Sequence, residues 1–108
     1  MLDPQMRRGL LETCVLAAMC RGESYGYRII RDLEPFVPVS ESTLYPILRR
    51  LESSGCLAER SVAHNGRLRK MYSITENGQR RIDEFLEEWD ALEKMYEFVR
   101  ESRENDQK

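Results

Sequence analysis

Apolar residues recur along this chain with two different periods, and the changes of period divide it into elements. Between residues 6 and 20, Leu11, Cys14, Val15, Ala18 and Met19 share one face of a helix that Arg21 and Gly22 should end as a C-cap. Ser24 can cap a second, short helix in which Tyr25, Ile29 and Leu33 recur at fours until Pro35 stops it. Gly26 costs helix propensity there and is read as a point of close approach by a neighbouring helix. A stiff apolar connector, residues 35 to 39, leads to Ser40 and a third helix over residues 42 to 52. In it Leu44, Ile47, Leu48 and Leu51 form one buried stripe, and Ser53, Ser54 and Gly55 stop it.

The period then becomes two. Residues 57 to 63 and 68 to 74 flank His64, Asn65, Gly66 and Arg67, and Asn-Gly between two strand-like runs is a strong hairpin signal. Lys70, Tyr72 and Ile74 should share one side of the second strand, with Arg69, Met71 and Ser73 on the other. Helical periodicity returns after Thr75, which can cap a helix from Glu76 to about Arg100, roughly 37 Å at 1.5 Å per residue. Its apolar positions Ile82, Phe85, Trp89, Leu92, Tyr96 and Val99 alternate in steps of three and four, an a/d heptad seam flanked by Leu86 and Met95. Residues 101 to 108 have no apolar residue and should fray.

These elements predict a mainly α fold with one β-hairpin: a winged helix-turn-helix head over residues 1 to 76, then a C-terminal dimerisation helix and frayed tail over 77 to 108. The heptad seam is too long for so small a head to cover, so it calls for a second subunit, and 108 residues bury a limited fraction of their surface alone.

The third helix carries the candidate chemistry. At about 100° per residue its exposed side presents Ser42, Pro46, Arg49 and Ser53, with Tyr45 and Arg50 on the flanks, and Thr43 joins them as a candidate DNA contact. Hydroxyls at the start and arginines a turn or more later suit a helix that meets phosphates and base edges in a major groove. If Ser42 is the N-cap, Pro46 removes one of the first intrahelical hydrogen bonds, which a purely structural helix has little reason to accept. Tyr45 fits DNA contact and packing at the domain edge equally well. Solvated surface is the plain alternative for Arg49 and Arg50.

The net charge of −2 looks wrong for a DNA binder until it is divided. Residues 40 to 75 hold six basic residues against three acids, and residues 76 to 108 hold six against eleven. The positive potential is therefore at one end, where Arg67, Arg69 and Lys70 of the hairpin join the third helix.

Residues 43 to 51, Thr-Leu-Tyr-Pro-Ile-Leu-Arg-Arg-Leu, followed by Gly55, resemble the recognition helix of the PadR family of bacterial transcription regulators, Thr-Leu-Tyr-Pro-x-Leu-x-Arg-Leu. Residues 25 to 30, Tyr-Gly-Tyr-Arg-Ile-Ile, match a second family block. Residues 69 to 78, Arg-Lys-Met-Tyr-Ser-Ile-Thr-Glu-Asn-Gly, match a third. Cys56 stands where the family usually has leucine. The resemblance implies a homodimeric repressor that binds a pseudo-palindromic operator in double-stranded DNA and blocks polymerase. Some PadR regulators admit planar aromatic compounds between paired C-terminal helices. That suggests an effector slot at Trp89, with simple interface packing as the alternative.

Other classes fit less well. The longest apolar run, residues 14 to 20, is far short of the roughly 20 residues that span a membrane. No signal-peptide pattern opens the chain, so a cytoplasmic location is expected. Three widely spaced cysteines and one histidine argue against a disulfide framework and against a zinc site, and no cofactor is expected. Cys14 and Cys56 read as small hydrophobes, while Cys20 leaves a thiol sensor open. No nucleophile-and-base set or phosphate-cradling loop suggests an enzyme. A winged-helix adaptor that docks another protein is the remaining alternative, and the clustered wing arginines argue against it.

Overall fold

A computed structural model describes residues 3–106. The order is α1 (Pro4–Ala17), α2 (Gly26–Leu33), α3 (Glu41–Ser53), β1 (Leu57–His64), β2 (Arg67–Ile74) and α4 (Glu76–Asp106). Helix α1 starts earlier than its apolar pattern, because the Asp3 carboxylate accepts from the amides of Gln5 and Met6 and Pro4 is preset for a first turn. Its buried stripe is also broader than expected: Leu16 and Glu12 are buried along with Val15 and Met19, since α1 packs against both α3 and α4.

Three caps differ from the sequence reading: α1 ends at Ala17 with Ala18 as its C-cap, short of Arg21 and Gly22. Ser24 does not cap α2: its backbone pairs with Tyr72 in both directions, at 2.9 and 2.7 Å, and adds a one-residue third strand to the hairpin. Tyr25 takes the N-cap position without a side-chain bond. For α3 the cap is Ser40, whose Oγ accepts from the Thr43 amide at 3.3 Å, so Ser42 lies inside the first turn. Pro46 is thereby deeper in the helix than a Ser42 cap would put it, and it leaves the Ser42 carbonyl without its helical donor.

The core lies where α1, α2 and α3 meet, on Val15, Leu16, Ile29, Leu44, Leu48 and Leu51. Leu57 and Tyr72 close it from the hairpin, whose strands pair antiparallel from Leu57 opposite Ile74 to His64 opposite Arg67. The two-residue turn puts Asn65 at φ 50° and Gly66 at φ 76°, the paired left-handed conformations that favour Asn-Gly in tight hairpins. Gly26 does meet a neighbouring helix: a Cβ there would lie 2.6 Å from the Tyr45 Oη of α3.

Thr75 caps α4 as expected, accepting from the Gly78 amide, while its own hydroxyl donates to the Gly55 carbonyl at 2.6 Å. This ties the start of α4 to the turn after α3. Gly78 is required there, because a Cβ would collide with the Cys56 carbonyl oxygen. Helix α4 has 31 residues, about 46 Å at 1.5 Å per residue, and gives the molecule a longest dimension of 67 Å. It outruns the expected end near residue 100 because charge pairs replace apolar contacts: Arg100 bridges Glu97 at 2.6 Å and Glu104 at 3.4 Å. The fraying expected over 101 to 108 is thus not seen through Asp106, and the last two residues lie outside the described range.

The seam divides in two. Ile82 is half-buried against the chain's own core and Phe85 is also half-buried, since the first turns of α4 pack on α1. The head therefore covers the seam at Ile82 and Phe85, where exposure in a monomer is expected, and leaves it open from Trp89 onward, where Leu92, Met95, Tyr96, Phe98 and Val99 stand exposed. No helix among the described residues is long and apolar enough to cross a membrane.

Candidate nucleic-acid interface

Burial of Leu44, Ile47, Leu48 and Leu51 turns the other side of α3 outward. Ser42, Thr43, Tyr45 and Arg49 are exposed on it, and Pro46 is half-buried. The Ser40 hydroxyl lies 3.0 Å from that of Ser42 and 3.1 Å from that of Thr43, so the helix starts in a cluster of three hydroxyls. Arg49 takes part in no ion pair among the described residues.

Arg50 is placed otherwise. Its Nε donates to Glu12 Oε1 of α1 at 2.9 Å, and Arg81 of α4 donates to Glu12 Oε2 at 2.5 Å. Burial pushes the Glu12 carboxyl up, but the hydrogen bonds and charges of Arg50 and Arg81 outweigh it and hold the group below its ordinary range. Arg50 is thus occupied inside the domain, which its position on the helix flank did not reveal.

Between the start of α2 and the wing runs a groove of about 930 Å³, walled by Tyr25, Tyr27, Arg67, Arg69 and Lys70, which α3 reaches through Tyr45. Arg67, beside the turn, is exposed and in no ion pair among the described residues. The Arg69 guanidinium stacks on the Tyr25 ring at 4.0 Å from its centroid, a contact that holds the cation in place without neutralising it. Lys70 Nζ is 3.8 Å from a Glu59 oxygen, a loose pair between exposed side chains. Arg60, counted in the basic segment, is neutralised by a two-bond contact with Glu23. At the foot of the wing the Glu52 carboxyl is pushed up, by loss of hydration first and then by Glu59, with Lys70 acting against both.

Sequence reasoning missed four participants. Arg7 and Arg8 of α1 border a recess shared with Ser42, Thr43 and Pro46, so the cationic rim extends beyond residues 40 to 75. Equal numbers of acids and bases over residues 1 to 39 concealed them. Tyr25, which begins the apolar repeat of the second helix, serves as the platform for Arg69. Glu12 carried no motif at all. Cys14 is half-buried with its thiol pushed up by burial, Cys56 is buried and Cys20 exposed, and no metal-ligand cluster occurs among the described residues.

Three helices closed by a basic hairpin, with one polar helix face left open beside it, define a winged helix-turn-helix protein. The family model described as "Transcriptional regulator PadR-like family" matches residues 15–84. The chain belongs to that family, whose members are transcriptional regulators and not enzymes. It is similar to a PadR-like transcription factor from Bacteroides fragilis, with 33% identity, a TM-score of 0.81, and coverage of 88% of this chain and 94% of that one. A PadR family regulator from Eggerthella lenta has 34% identity and a TM-score of 0.78 over 88% of this chain and 85% of its own. PadR of Bacillus subtilis, solved with operator DNA, has 26% identity and a TM-score of 0.68 over 71% of this chain and 46% of that one. No protein of curated function matches the chain in sequence.

Proposed function

We propose that this chain is a homodimeric, sequence-specific DNA-binding repressor that acts in the cytoplasm by occupying a pseudo-palindromic operator. One observation carries the reading: the face of α3 that bears Ser42, Thr43 and Arg49 is exposed, and Tyr45 of the same helix lines a groove whose other wall is the cationic wing. The likeness to a regulator solved with operator DNA supports it. Arg49 reads base edges from the major groove, and the hydroxyls of Ser42 and Thr43 meet phosphates near the helix start. Tyr45 and Pro46 line the two sides of the same strip. Arg67, Arg69 and Lys70 lie along the adjoining backbone. Arg50 is left out of this set, because Glu12 holds its guanidinium.

Phosphate contacts supply affinity with little sequence information and release counterions. Arg67→Ala is therefore expected to weaken binding on all DNA alike and to flatten the log–log salt dependence by about one unit per lost contact, about two for the dimer. Titration of DNA fragments at several salt concentrations checks this. A changed base preference with an unchanged slope would overturn the role of the wing. Absence of DNA binding even at low salt would favour the protein-docking adaptor.

The exposed part of the seam supports the dimer, since Trp89, Leu92, Tyr96 and Val99 make an apolar strip that a soluble chain would cover. Ile82 and Phe85 contribute to it chiefly by fixing the direction in which α4 leaves the head. Trp89 stands on the exposed surface of α4 with Leu92, Glu93, Met95, Tyr96 and Val99, a strip that pairing of two α4 helices would turn into a slot. We propose that this slot receives a planar aromatic effector, with a cationic one favoured by the surrounding acids. Trp89 is the sole tryptophan, so its fluorescence should be quenched saturably by planar cationic dyes while operator binding loosens. An unquenched signal across such a panel, with operator affinity unmoved, assigns Trp89 to interface packing alone.

A further inference from the structure

We infer that the Glu12–Arg81 contact, added to the packing of Ile82 and Phe85, completes the joint that fixes the long helix relative to the recognition helix, and that Arg81 thereby sets the operator half-site spacing the dimer accepts. The inference rests on the homodimeric operator-binding reading above. Glu12 is 8% exposed, and each of its oxygens takes one guanidinium, from α3 on one side and from α4 on the other. A carboxylate so far removed from water is tolerated when both oxygens are paired, and apolar residues of similar volume often give equal or greater stability. What a carboxylate between two guanidiniums adds is direction, because these planar groups bond in few orientations.

Position makes that direction consequential. Helix α1 packs on both α3 and α4, and Glu12 is the residue of α1 that bonds to each. Arg81 lies in the second turn of α4, before the exposed seam begins at Trp89. From Arg81 to Val99 the helix rises roughly 27 Å, so a tilt of about 10° at the joint displaces the far seam by about 5 Å. That exceeds the rise of about 3.4 Å per base pair. An error at the joint is therefore read out at the DNA as a shift in the distance between the two α3 helices, while each head on its own is unaffected.

The test uses the full-length chain and an operator recovered by selection from genomic DNA. Binding is measured on that operator, on versions with one base pair added or removed between the half-sites, and on an isolated half-site. For the wild type the altered spacings are expected to cost about tenfold or more. In Arg81→Gln, which leaves the Glu12–Arg50 pair in place, half-site binding should stay within about twofold and the spacing penalty should fall below about threefold. Arg81→Lys keeps the charge opposite Glu12 and should recover much of the penalty, which a role in bulk stability alone would not require. An unchanged penalty in folded Arg81→Gln overturns the inference. So does loss of half-site and operator binding together in both variants. A wild type that ignores spacing, or binds no DNA, is the failure of the dimeric reading itself, and it is seen before any variant is compared.

Discussion

Leu92→Glu is expected to abolish both self-association and operator binding while leaving the head folded. Leu92 is half-exposed, near the middle of the seam segment that no other part of the chain covers. A two-fold pairing of α4 would bring two copies of this position close together near the axis, so the substitution removes apolar burial from each helix and adds two facing negative charges. The surrounding acids Glu88, Asp90 and Glu93 offer it no compensation. Loss of the dimer leaves each α3 to bind a half-site singly, and a linked pair gains roughly 10²- to 10⁴-fold over its separate parts. Sedimentation checks the first effect and operator titration the second. A wild type that is a stable folded monomer at micromolar concentration, or a Leu92→Glu variant that still dimerises, contradicts this account of α4.

Arg49→Ala should weaken operator binding by roughly 30-fold or more, since a bidentate guanine contact of about 1 to 3 kcal/mol is lost in each of the two half-sites, and should relax base preference at one position of each. Thermal unfolding should not change, because Arg49 is exposed and in no ion pair among the described residues. Its neighbour is expected to behave in the opposite way. Arg50→Ala removes one of the two partners of buried Glu12, so it should lower stability with little effect on which base is read. Because Glu12 is held below its ordinary range, its contribution is complete at neutral pH and disappears as the pH falls through that lowered value. Acid should therefore erase the stability difference between Arg50→Ala and wild type. Operator affinity unchanged in Arg49→Ala would show that the recognition helix is turned differently.

The elements were legible where one periodicity ran without competition. The α3 stripe, the Asn-Gly turn and the step of α4 each follow from local sequence, and each lies where the pattern puts it. Caps were less legible, because Ser24, Ser40 and Ser42 are chemically equivalent in sequence. What separated them was tertiary: Ser24 is drawn into the hairpin by Tyr72, and Ser40 alone precedes the first turn. The end of α4 was missed because apolar spacing stops at Val99 while a network of charge pairs continues the helix.

The site shows the same division. Arg49, Arg67 and the hydroxyls at the start of α3 can be found from helix geometry and regional charge alone. The difference between Arg49 and Arg50 cannot, since the two share a helix, a charge and a motif. It arises from a carboxylate 38 residues away in sequence. Tyr25 and Arg69 likewise meet only because the hairpin folds back on α2. Contacts of this kind decide which of several equivalent cations remains available to a partner, and periodicity carries no record of them.

Selection of bound fragments from sheared genomic DNA, carried out in parallel with wild type and Leu92→Glu, tests the central claim most directly. The wild type should enrich sites that share one pseudo-palindrome, with half-sites about 34 to 36 Å apart or a multiple of that, and Leu92→Glu should enrich none of them. Fragments without a common two-fold motif, or the same motif recovered equally by both proteins, would contradict it.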